Sequence, residues 1–191
     1  NLNTPGTNGA GGTSGTQTAC ITFAGDRPSR SVIAEQFDGS SWTEVGDLST
    51  GRNNLGGAGT STSAIGFGGG TPSYTGATEE WNNTSWSEEA DLNLSRQVTG
   101  AGASKDSALA CAGNTGSVTG HTEEWNGTAW TVKAPMLTAR YIVNCTGTTT
   151  ALLGAGGQPH NASVESWNGT TWSETTDLGT AKSGGYNSGT Q

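Results

Sequence analysis

Four stretches of this chain end alike: EQFDGSSWTEVGDLSTGR, EEWNNTSWSEEADLNLSR, EEWNGTAWTVKAPMLTAR and ESWNGTTWSETTDLGTAK. The second aromatic of each is Trp42, Trp86, Trp130 and Trp172, which sets a period of about 44 residues. A unit of that length is one supersecondary motif. It cannot bury its own apolar face and has to stack on its neighbours, so the chain must fold as an array of like units. The units run at about 1–46, 47–90, 91–134 and 135–176, and 177–191 begins a further one.

The second copy shows how one unit is spelled. LGGAGT (55–60) is a short strand of very small residues, and SAIGFGG (63–69) is a second strand ending in paired glycines. ATEEW (77–81) and SWSEE (85–89) are the third and fourth. The last two are joined at Asn82-Asn83, a position that reads Asp38-Gly39, Asn126-Gly127 and Asn168-Gly169 elsewhere. Asn-Gly and Asp-Gly supply the positive φ angles of a type I′ hairpin turn. Four antiparallel strands per repeat, tightly turned, predict an all-β chain of β-propeller blades. Strands nearest a propeller axis crowd a narrow channel, which explains GAGGTSG, GGAGTST and GAGASKD, while the tryptophans fill the wedges between blades.

The order of these signals resembles the kelch repeat. Its glycine pair is matched by Gly68-Gly69 and Gly156-Gly157, with Ala24-Gly25 and Gly113-Asn114 as broken copies. Its third strand is matched by Glu35-Gln36-Phe37, Glu79-Glu80-Trp81, Glu123-Glu124-Trp125 and Glu165-Ser166-Trp167. Trp42, Trp86, Trp130 and Trp172 match the fourth strand, and Arg52, Arg96, Arg140 and Lys182 the basic residue after it. The units are a few residues shorter than typical kelch repeats. In style, the near-identical tandem units also resemble uncharacterised propeller proteins of marine phages.

A charge kept in every unit is not a unique active site. Glu35, Glu79, Glu123 and Glu165 each stand two residues before the third-strand aromatic, on the same face of the strand. Arg52, Arg96, Arg140 and Lys182 recur where the inner strand starts. The reading is a structural Glu–Arg pair in each blade; the alternative is a ring of charges that binds something along the axis.

Catalytic constellations are missing from the pattern. Two histidines (His121, His160) and three tyrosines (Tyr74, Tyr141, Tyr186) have no spacing that singles out the ligand set of the kelch-like copper oxidases. The W-N-G-T-x-W turns differ from the Asp-box of sialidases, since only Asp38 is an Asp and its distance to Trp42 is one residue short. No phosphate loop or Ser-His-Asp set appears. No catalytic residue, metal or cofactor is therefore expected. Cys20, Cys111 and Cys145 read as small buried hydrophobes, aligned with Ile65, Leu109 and Leu152 for the first and with Ala58 and Gly102 for the last. The Asn-x-Ser/Thr triplets at 83, 93, 126, 144, 161 and 168 follow from turn geometry and β propensity.

The net charge of −8 argues against nucleic acid and against anionic membrane surfaces. No apolar run approaches the roughly 20 residues of a membrane-spanning helix. Seven tryptophans, with only 13% charged residues, argue against disorder. Recognition is expected in the loops between second and third strands, which differ most between copies. They hold Arg27, Arg30, Tyr74, His121 and His160 as candidate binding residues. Two functions fit: a structural or attachment module of a virus particle or extracellular fibre, recognising glycans, or a kelch-type scaffold for a protein partner. A carbohydrate-active enzyme is the weaker third. Asn8 to Thr16 reads as an inner strand, and so does Ser183 to Gln191. With Asn1 rather than Met at the start, the expectation is an open arc, a segment of a longer ring or one completed by other copies of the chain.

Overall fold

In the computed structural model, which describes residues 2–12 and 14–182, every regular element among the described residues is a β-strand. The first blade comprises β1 (Ala10–Gly11), β2 (Cys20–Phe23), β3 (Ala34–Phe37) and β4 (Trp42–Glu44). The second comprises β5 (Gly56–Thr60), β6 (Ser63–Phe67), β7 (Thr78–Trp81) and β8 (Trp86–Glu89). The third comprises β9 (Gln97–Ser104), β10 (Ser107–Asn114), β11 (Val118–Trp125) and β12 (Trp130–Lys133). The fourth comprises β13 (Asn144–Gly147), β14 (Leu152–Ala155), β15 (Val164–Trp167) and β16 (Trp172–Glu174). Each set is a four-stranded antiparallel sheet in simple meander order, and the four are the blades of a β-propeller.

The hairpin turns fix the register. Phe37 faces Trp42 across the first turn, and Trp81, Trp125 and Trp167 face Trp86, Trp130 and Trp172 across the others. The ring centroids of these pairs lie 5.3 to 5.6 Å apart in tilted geometry. The turn asparagine carbonyl caps its own turn. Asn82 Oδ1 accepts from the Thr84 and Ser85 amides, and Asp38 does the same for Ser40 and Ser41. Gly39, Gly127 and Gly169 take positive φ there, and in the second blade Asn83 does so at φ 74°.

The paired glycines are better read as a pair of left-handed residues. Ala24, Gly68, Ala112 and Gly156 have φ between 59° and 66°, and the glycine that follows each is also positive. The third-blade pair is thus Ala112-Gly113 rather than Gly113-Asn114. Alanine tolerates the first position at some strain; the second is glycine in all four blades. That second glycine donates its amide to the backbone carbonyl opening the next blade: Gly25 to Arg52, Gly69 to Arg96, Gly113 to Arg140 and Gly157 to Lys182, at 2.8 to 3.0 Å.

Three apolar clusters lie at the boundaries. Ile21, Phe23 and Ala34 meet Leu48, Leu55 and Trp81 between the first two blades. Phe67 and Ile65 meet Val98, Trp125 and Trp130 at the second boundary, and Leu109 and Cys111 meet Val143, Trp167 and Trp172 at the third. The aromatic contact repeats: Phe23 packs edge-on to Trp86, and Phe67 to Trp130, each with centroids 4.8 Å apart. The indole that matters is therefore the next blade's, which is how a short blade buries its face. The backbone pairing also corrects the cysteine alignment. Cys20 stands opposite Phe37 as Ala64, Ala108 and Leu152 stand opposite their tryptophans, and Cys145 takes the place of Gly57 and Gly100. The surplus inner strand expected over Ser183 to Gln191 lies outside the described residues.

Candidate functional site

The repeated charges form buried ion pairs within the second, third and fourth blades. Arg52 meets Glu79 at 2.9 Å, Arg96 meets Glu123 at 2.5 Å and Arg140 meets Glu165 at 2.8 Å, with all six side chains essentially buried. Most of the remaining donors and acceptors are used too, although Nε of Arg52 and of Arg140 is buried without an acceptor. Arg96 donates to the carbonyls of Leu94, Ala110 and Ala112, and Arg52 to those of Gly66, Gly68 and Ala77. Each carboxylate also accepts amides from the connector arriving from the preceding blade: Ser49 on Glu79, Asn93 and Leu94 on Glu123, Leu137 and Thr138 on Glu165. A buried charge survives only with such compensation. For Glu123, burial works to raise the carboxyl, but hydrogen bonds from Arg96 and Asn93 outweigh it and hold it below its ordinary range.

The first blade solves the same problem differently. Where an arginine stands four residues before β5 and β13, the residue four before β1 is Gly6. Arg27, from the loop after β2, reaches into that slot and meets Glu35 at 2.6 Å, its side chain 3% exposed. It also donates to the carbonyls of Thr4 and Ala24. A Cβ on Gly6 would lie 2.6 Å from Arg27 Cγ, so the glycine makes room for the substitute. Arg27 is therefore not an available binding residue but the first blade's ion-pair partner. Lys182 departs the other way: it holds the backbone register of Arg52, Arg96 and Arg140, yet its side chain is exposed and Glu165 is paired with Arg140.

The loops between second and third strands hydrogen-bond the connectors that enter the inner strands, so both lie at one face. Asn53 exchanges backbone bonds with Gly70, and Tyr141 with Gln158. On that face Asp26 accepts from Asn8 Nδ2 at 3.1 Å and from Asn53 Nδ2 at 3.0 Å. Tyr74, 37% exposed, reaches from its loop to Asn114 Oδ1 of the next blade at 3.4 Å, and the Tyr141 hydroxyl donates to Gln158 Oε1 at 2.6 Å. Arg30 and His160 are exposed on the same loops. The Asn8–Asp26–Asn53 cluster carried no sequence signal beyond the asparagines' place beside the inner strands.

His121 belongs elsewhere. It lies on β11 rather than in a loop, 26% exposed at its side chain, with Nε2 3.6 Å from the Glu123 carboxylate. Burial and the neighbouring Arg96 guanidinium push its imidazole below the usual range, against the pull of Glu123. Among the described residues, no group of three or more His, Cys, Asp or Glu side chains is placed to hold a metal ion. No helix there is long and apolar enough to cross a membrane.

No family model matches the chain, and no curated protein matches it. Among solved structures it is similar to that of YjhT, with a TM-score of 0.75 over 94% of this chain and 68% of that one, at 10% identity. At that identity the likeness concerns the fold, and a propeller by itself selects no activity.

Proposed function

We propose that this propeller is a non-enzymatic recognition module whose loop face engages glycans, in a structural or attachment role on a virus particle or an extracellular fibre. The observation that carries the reading is that the Asn8–Asp26–Asn53 cluster and, in the second and fourth blades, Tyr74 and Tyr141 all belong to the loops and connectors of one face. Sugars offer hydroxyls that need paired donors and acceptors, and flat C–H faces that stack on aromatic rings. The net charge of −8 favours neutral or cationic ligands over polyanions. The phage-like style of the repeats supports the setting.

A second reading, a scaffold for a protein partner, draws on the kelch likeness. The exposed apolar side chains Val132, on β12, and Leu137, on the connector into the fourth blade, favour it. A glycan array probed with the labelled chain and with Tyr74→Ala and His160→Ala variants separates the two. The glycan reading expects retention of a defined sugar class and at least a tenfold loss in one variant, with the melting temperature unchanged. Retention of no glycan, or binding indifferent to both variants, overturns it.

A further inference from the structure

At two blade boundaries the phenylalanine that ends the second strand covers a glycine of the next inner strand. A Cβ on Gly57 would lie 3.0 Å from Phe23 Cζ, and one on Gly100 would run into the Phe67 ring. At the third boundary these two positions are Cys111, on β10, and Cys145, on β13. Their Sγ atoms are 2.8 Å apart, well inside the ordinary separation of non-bonded sulfurs. The large–small couple has been replaced by two side chains of middle size that meet end to end.

We propose that Cys111 and Cys145 join as a cystine that staples the third blade to the fourth. The reaction needs a two-electron acceptor, and a low-mass disulfide such as oxidised glutathione supplies it. The thiolate of Cys145, the less buried of the two, attacks one sulfur of that disulfide. A mixed disulfide forms and one low-mass thiolate leaves. The Cys111 thiolate then attacks the Cys145 sulfur and expels the second low-mass thiolate. The two cysteines together lose two protons and two electrons, and the acceptor leaves as two thiols. The cross-link closes a loop spanning the β10–β13 connection, so its effect falls on the unfolded chain and on separation of the two blades. In a compartment that keeps thiols reduced, the same pair reverts to apolar packing. Cys20, on β2 of the first blade, stays outside the couple.

The chain's sequence makes the test direct. Trypsin puts Cys20, Cys111 and Cys145 in three different peptides, within 1–30, 106–133 and 141–182. The full-length protein is equilibrated with oxidised glutathione, unfolded, alkylated and digested without reduction. The expected result is one alkylated cysteine, Cys20, and a peptide joining 106–133 to 141–182 that reduction splits. The oxidised form should melt about 5–15 °C above the reduced form. The double variant Cys111→Phe with Cys145→Gly rebuilds the couple of the other boundaries. It should fold, and its melting temperature should ignore reductant. Alkylation of all three cysteines in the oxidised wild type, or a cross-link through Cys20, overturns the proposal.

Discussion

Replacing Ala34 by threonine should stabilise the protein. The indole N–H of Trp130 donates to Thr78 Oγ1 at 3.0 Å, and that of Trp172 to Thr122 Oγ1 at 3.1 Å. Each threonine passes its own proton to a carbonyl two residues back, Gly76 or Gly120. The corresponding residue of the first blade is Ala34, opposite Phe23 as Thr78 is opposite Phe67. Trp86 Nε1 is accordingly buried without an acceptor. An unsatisfied buried donor costs about 1–3 kcal/mol, and a restored hydrogen bond returns about 1 kcal/mol net after the threonine hydroxyl is itself desolvated. The hydroxyl has an outlet, because the Val32 carbonyl sits where those of Gly76 and Gly120 do, each accepting the connector amide of Leu48, Leu92 or Met136. For a chain of this size the gain is a rise of about 2–4 °C in melting temperature. Urea unfolding followed by tryptophan emission reads the same change. Thr78→Val and Thr122→Val keep the shape, remove the acceptor, and should lose about 1–3 kcal/mol. If Ala34→Thr lowers stability while both valine variants are neutral, the indole hydrogen bonds have no net value and the reasoning is wrong.

Three further outcomes follow from the same geometry. Arg27→Ala should cost about 3–5 kcal/mol by stranding the buried Glu35, and adding Gly6→Arg should recover much of it, since the three atoms nearest a Cβ at Gly6 all belong to Arg27; urea midpoints of the single and double variants decide this. Hydrogen bonds from the Ser41 amide, the Ser40 hydroxyl and the Ser40 amide hold Asp38 well below its ordinary value of 3.8, so its contribution is present at neutral pH and is lost as the pH falls below that value. Asp38→Asn, which copies Asn82, Asn126 and Asn168, should be nearly neutral at pH 7 and gain on the wild type in acid, as thermal melts from pH 7 to pH 2 would show. His121 is held below 6.5, so the unfolded chain takes up its proton first and stability falls as the pH drops through 6.5; His121→Gln should flatten that part of the curve, and an unchanged slope between pH 7.5 and 5.5 would contradict it.

The blade plan was legible because its signals are local and repeated. A hairpin turn, a glycine step and an aromatic at fixed offsets need no knowledge of the rest of the chain. That Glu79 pairs with an arginine of the repeated slot was legible for the same reason; that it is Arg52 rather than Arg96 is the structure's answer. What the sequence hid were the exceptions. Arg27 lay in a variable loop, and only the empty slot at Gly6 reveals that it serves Glu35. The Cys111–Cys145 couple was invisible because it crosses a boundary and depends on which face each strand turns to its neighbour; a one-residue error in alignment moved Cys145 off Gly57 and onto Ala58. The loop face is harder still, since turn-forming residues and binding residues are drawn from the same types.

The direction of the contacts between blades has an evolutionary consequence. Every contact described at a boundary addresses the blade next door: an indole to the preceding threonine, a phenylalanine to the following glycine, an amide to the following carbonyl. Excising the second unit, about residues 47–90, would bring Phe23 over Gly100, a fit already present between Phe67 and Gly100. Trp130 would meet Ala34 instead of Thr78, Asp26 would lose Asn53, and Asn114 would lose Tyr74. A gene built this way can gain or lose whole units by unequal crossing-over with a single new seam to repair, and the mismatch at Ala34 and the sulfur pair at the third boundary are the marks such seams would leave.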